Sequence, residues 1–299
     1  MNEQNERKTK VRKKRSPALD VWVRFRRNPL ALLGLFILFC LITLALSADV
    51  IAPAQGRAPG YDVQDLRNRF QPPGGDYLMG TDNLGRCVFS RIAHGARTTL
   101  TAGILVVTIS MSVGIFLGSI SGFYGGIVDN IFMRFVDVML AVPTMLLAIA
   151  IVAVMPAGLT TLLTAVVIGQ IPSYARVVRG AILSVKGQEY IEAARAIGAS
   201  DFRIIRKHIL PNCMAPIIVE STMGIGSAIT FVAALSFLGL GISPPSPEWG
   251  AMLSDGRRFM LSGEWWLVFF PGVSIALVIF ALNMMGDGLR DALDPRLKR

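Results

Sequence analysis

Few residues of this chain have the types and spacing that chemistry requires. The densest group lies in residues 189–211, a charged, helix-prone island between two long apolar segments. Residues 189–197 are good helix formers, and Ile191, Ala194 and Ile197 recur at steps of three. One face can therefore pack while Glu192 and Arg195 stay in water. Gly198 supplies a turn, Ser200 or Asp201 suits the cap of a second helix running to His208, and Pro211 opens the next apolar run. Ala193 and Ala194 leave one side nearly flat, as in a helix that lies in a partner's groove. This spacing serves recognition and mechanical linkage.

A second candidate is Glu220, the one carboxylate clearly inside an apolar run, about two turns beyond Pro211. It either reaches back to the interface or pairs with a base such as Arg179, or it faces a hydrated cavity where its charge acts on a passing amine. A charge deeper in lipid costs ~2.5–3.5 kcal/mol.

What is missing narrows the chemistry further. No Gly-x-x-x-x-Gly-Lys-Ser/Thr occurs, so this polypeptide is not expected to hold ATP phosphates itself. No His, Cys and carboxylate cluster has metal-ligand spacing, and no metal or other cofactor is expected on this chain. His94 and His208 read as interface or surface residues. Without a catalytic constellation, the chain is not expected to be an enzyme. Cys40, Cys87 and Cys213 fall in different compartments on the topology below and are expected as free thiols.

The elements that carry these residues are membrane spans. With 53% hydrophobic residues and a mean hydropathy of +0.53, the 299-residue chain is too apolar for an ordinary soluble domain. Its net charge of +10 lies in segments flanking the apolar runs, which reads as topology and excludes a nucleic-acid surface. Residues 1–28 form a basic tail that stays in the cytoplasm, disordered to about residue 17, and residues 29–48 an uncleaved first span.

Residues 49–97 read as an external loop containing an interfacial helix, with Val88, Ile92 and Ala96 opposite Arg91. The second span, 98–122, carries Ser110, Gly114, Gly118 and Gly122 at steps of four, a stripe that lets helices approach closely in lipid. The third, 131–156, is kinked at Pro143, and the fourth, 159–183, leaves through Arg176 and Arg179. The fifth covers 214–240, and Trp249, Trp265 and Trp266 read as interfacial anchors before the sixth, 267–285. Both termini then lie in the cytoplasm.

The wording of several segments adds a family likeness. Glu192, Ala193, Ala194, Gly198, Ile209, Leu210 and Pro211 resemble the coupling loop of ABC-importer permeases, in which the loop, here 187–211 with Glu189, docks on a separate ATPase. Residues 80–100, GTDNLGRCVFSRIAHGARTTL, resemble the peptide-importer branch, with Cys87 where that branch commonly has Asp. The runs SFLGLGISPPSPEWGAML and NMMGDGLRDALDPRLKR resemble the same branch, so the likeness covers nearly the whole chain.

It implies an all-α protein of six transmembrane helices, the last five (within 98–299) forming a type I permease core. It also implies that this chain is the second, C-type, permease of a pair in the cytoplasmic membrane. Its partners would be a homologous permease, two ATPase subunits carrying ATP and Mg, an external substrate-binding protein and lipid. The implied work is ATP-driven uptake of dipeptides or oligopeptides, with nickel, glutathione or another small solute as alternatives. An ion-driven secondary carrier, the rival class, would show internal repeats and charges at span centres, which are absent from the sequence.

Overall fold

A computed structural model describes residues 17–52, 61–241 and 245–294. The expected disorder before residue 17 and the basic carboxyl end lie outside the described residues. The elements are α1 (Pro17–Phe25), α2 (Pro29–Leu46), α3 (Ala48–Ile51), α4 (Val88–Tyr124), α5 (Gly126–Ala141), α6 (Thr144–Val154), α7 (Leu159–Lys186), α8 (Glu189–Ala196), α9 (Asp201–Ile204), α10 (Met214–Phe237), α11 (Trp249–Gly256) and α12 (Trp266–Leu293). No strand occurs among the described residues.

Helices α2, α4, α7, α10 and α12 are long and apolar enough to cross a membrane. The bent pair α5–α6 makes a sixth span if it is taken as one. The most apolar window of α7 is 61% buried and that of α2 only 17%, so α7 is the centre of the bundle and α2 its lipid-facing periphery. Accordingly α2 leaves Leu30, Phe36 and Phe39 exposed, as lipid allows. Asn28 starts it by accepting from the Leu30 and Ala31 amides, with Pro29 preset for the first turn.

The most extensive helix contact is α4 against α7. A Cβ at Gly114 would stand 3.1 Å from the Ala175 nitrogen, and one at Gly118 2.6 Å from the Ala175 oxygen. Ser110 Oγ donates to the Val167 carbonyl at 3.2 Å, and Gly122 abuts Ile182. Close backbone approach of this kind is what holds helices together where lipid supplies no hydrophobic drive.

Three expectations change. The interfacial helix expected around Val88, Ile92 and Ala96 is instead the first turns of α4, a rod of 37 residues and about 55 Å that overruns the hydrocarbon core. Its start is enclosed by protein rather than lying on lipid, and Arg91 and His94 are buried there. The kink at Pro143 is a break: α5 and α6 meet at 86° because Val142, before the proline, is extended (φ −92°, ψ 126°). Helix α6 alone, 11 residues or about 17 Å, cannot span. Finally, Trp249 and Trp266 are buried, donating to the Ile92 and Thr81 carbonyls at 3.1 Å each. Only Trp265 is exposed as an interfacial anchor would be.

Candidate functional site

The loop between α7 and α10 is built at the C-terminal end of α4. Ile191 and Ala194 on the inner face of α8 join the main core with Phe123, Ile182, Ile204 and Ile209. The Arg195 guanidinium stands 5.7 Å over the Phe123 ring. Lys186 Nζ donates to the Gly122 carbonyl at 3.4 Å. The underside of the loop is therefore continuous with the packing between α4 and α7.

Helix α8 ends in a paired-bond turn: the Gly198 amide donates to Arg195 O and the Ala199 amide to Ala194 O, both at 3.0 Å. Gly198 takes φ +83°, where a side chain would be strained. This ending corrects the expected apolar face. Ile197 caps the helix, the chain turns away, and its side chain is 86% exposed rather than packed with Ile191. Ala194 is buried, so the flat outer surface comes from Ala193 and Ala196.

The expected second helix is also different. Ser200 has the extended backbone of a cap, but neither it nor Asp201 supplies a side-chain cap, and α9 is short. The chain continues through a π turn at Ile205–Ile209 and a 3-10 turn at Leu210–Asn212 into α10. The wider turn fits Pro211, which lacks an amide to donate and crowds the preceding turn. Ile209 is buried, Leu210 half-buried and Pro211 exposed.

The outer surface of the loop presents Tyr190, Ile197 and Phe202 beside Ala193, edged by Glu189, Glu192, Arg195 and Arg203, all exposed. An exposed apolar patch rimmed by charge is the ordinary form of a protein-binding surface.

Glu220 is half-buried in α10 and makes no hydrogen bond or ion pair with the described residues. The pairing with Arg179 is not formed. Arg179 instead grips Asp129 of α5 through Nε and Nη2, each at 2.6 Å, with Ser121 donating to the same carboxylate. Arg176 likewise meets Asp137 at 2.7 Å. Two arginines that mark a span's end in sequence thus strap α5 to α7. Glu220 lines two clefts, one of about 360 Å³ towards Arg290 and one of about 170 Å³ towards Gln170 and Tyr174.

The N-terminal end of α4 holds residues that patterning missed. Asp82 accepts from the Leu84 and Arg86 amides at 2.9 Å each and pairs with Arg86 Nε at 2.6 Å, with Arg91 Nε 3.7 Å away. Arg91 Nη1 reaches the Tyr61 and Pro245 carbonyls at 3.3 and 3.4 Å. Glu248, fully buried, caps α11 by accepting from the Gly250 and Ala251 amides at 2.9 and 2.8 Å, while burial pushes its carboxyl up. Hydrogen bonding from Arg97 holds the Asp49 carboxyl below the usual range. His94, buried against Tyr61, also reaches Asp49, so it is not a surface residue. Burial raises the Cys87 and Cys213 thiols, and all three cysteines are free. No group of three or more metal-ligating side chains occurs among the described residues.

The family described as "Binding-protein-dependent transport system inner membrane component" matches residues 114–299, and "N-terminal TM domain of oligopeptide transport permease C" matches residues 16–73. The dipeptide transport system permease protein DppC of Alkalihalophilus pseudofirmus is 45% identical over 283 residues, 95% of this chain and 91% of that one. DppC of Bacillus subtilis is 42% identical, covering 94% and 86%. The glutathione transport system permease protein GsiD of Pectobacterium atrosepticum is 45% identical, covering 95% and 93%.

Among solved structures, the inward-facing MetNI methionine ABC transporter superposes with a TM-score of 0.54 over 67% of this chain and 94% of that chain; at 20% identity it speaks to fold. The broken span, the close α4–α7 contact and the exposed loop rooted in the core are thus a type I permease architecture. On the family match and on identity across nearly its whole length, the chain belongs to the binding-protein-dependent transport system inner membrane components.

Proposed function

We propose that this chain is one pore-forming half of an ATP-driven importer of dipeptides or oligopeptides. The relatives named for dipeptide and glutathione transport support peptide-like cargo, glutathione being a tripeptide. The other half is a homologous permease, with two ATPase subunits holding ATP and Mg on the cytoplasmic side and a binding protein delivering cargo outside. Both termini and loop 187–211 lie in the cytoplasm. Nucleotide-driven closure of the ATPases moves α8, and the spans on either side reorient the cavity between the two permeases. Glu220 faces that path.

The observation that carries this reading is the two-faced loop: Ile191 and Ala194 locked into the core, Tyr190, Ile197 and Phe202 left in the open. Such a surface passes a push from a docked partner directly to α4 and α7. Gly198→Leu tests it. At φ +83° a side chain costs ~1–2 kcal/mol and redirects the turn. The variant should reach the membrane at wild-type level yet lose its ATPase on purification and most peptide uptake; normal co-purification with normal uptake would refute the reading. Orientation is tested separately. Cysteines placed at Gln64 and Ser246, both exposed, should react with an impermeant thiol reagent outside intact cells, whereas one at Ser200 should not.

A further inference from the structure

The cleft between α6, α7 and α10 is polar where a membrane bundle is expected to be apolar. Gln170 is 7% exposed, and its Nε2 has no hydrogen-bond partner. Its Oε1 accepts from the Tyr174 hydroxyl at 3.3 Å. Across the cleft stands Glu220, also without a partner among the described residues, and Ser173 and Ser227 lie at the exposed mouth. A Cβ at Gly224 would collide with the Tyr174 hydroxyl, so the glycine is what admits the ring. An orphaned buried amide costs ~1–3 kcal/mol, which a chain retains when something else completes the bond.

Resting on the peptide reading above, we propose that this cleft holds the first residue of a peptide in transit. The Glu220 carboxylate, an acceptor only, takes the terminal ammonium group, and Gln170 Nε2, enclosed in this structure, turns into the cleft to donate to the first carbonyl oxygen. Both contacts are to main-chain groups that every free peptide carries, so the site is indifferent to side chains. Its volume of about 170 Å³ suits this role, lying below the roughly 300 Å³ at which pockets for whole ligands begin. Ser173 and Ser227 would be poor lipid contacts, which turns this mouth towards the companion permease.

The test uses the complete importer, with its companion permease, ATPases and binding protein, in proteoliposomes. Uptake of alanyl-alanine is compared with that of N-acetyl-alanyl-alanine, each at a concentration that saturates the binding protein. The wild type should prefer the free amine by about tenfold, the loss of one charge-assisted hydrogen bond. Glu220→Gln should bring the ratio close to one. Gln170→Leu, checked for normal assembly because it also takes the acceptor from the Tyr174 hydroxyl, should slow both peptides about tenfold and leave the ratio intact. If the wild type moves peptides and Glu220→Gln retains its preference, the ammonium site is overturned while the peptide reading stands. Uptake of neither peptide by the wild-type assembly would overturn both.

Discussion

At the N-terminal end of α4 most polar groups are paired inside the chain: Asp82 is shared by Arg86 and Arg91, and the indoles of Trp249 and Trp266 donate to backbone carbonyls. At its C-terminal end the loop keeps only its underside for itself and leaves Tyr190, Ile197 and Phe202 uncovered. Both ends are rich in glycine turns and charge, so composition does not distinguish them. Satisfaction does. The first end pairs most of its buried polar groups within the chain, Arg86 Nη1 excepted, whereas the second leaves a charge-rimmed apolar patch uncovered. Substitutions at the first should act on stability, and those at the second on assembly.

The largest expected effect breaks the closed end. Asp82→Ala leaves two buried guanidinium groups without their carboxylate, a loss of ~3–5 kcal/mol. Thermal unfolding in detergent should show a clear fall in midpoint and in yield; an unchanged midpoint would mean that this end is not held by its ion cluster. Next, Ala193→Trp at the open end places a large ring on the flat outer surface of α8. ATPase affinity should drop at least about tenfold, ~1.4 kcal/mol, while the midpoint of the isolated chain stays put. A midpoint that fell instead would show that Ala193 belongs to the core, as Ala194 does.

The smallest effect is a dependence on pH. Burial raises the Glu248 carboxyl above its ordinary value, so the folded state binds its proton more tightly than the unfolded chain does. That contribution is complete below the unfolded value and is lost as pH rises through the folded one, which lies on the less acidic side. Wild-type stability should decline across that window, and Glu248→Gln should flatten the decline. A wild-type slope of the opposite sign would show that the two amides stabilise the carboxylate more than burial opposes it.

Much of this was legible in the chain itself. Apolar runs mark every span because lipid demands continuous apolar surface and internally bonded backbone, and Pro143, Gly198 and the stripe from Ser110 to Gly122 follow from local geometry. The motif around residues 192–211 located the loop. Other features depend on residues far apart in sequence. Nothing local tells Ala193 from Ala194, Trp265 from Trp266, or Arg179 as the partner of Asp129 rather than of Glu220. Those choices were made when α7 settled at the centre of the bundle and α5 turned across it. Lipid writes its requirement into each segment separately, and so the sequence by itself determined the five continuous spans, whereas the sharp turn between α5 and α6 and the burial of a particular side chain depend on the neighbours met, which only the tertiary structure decided.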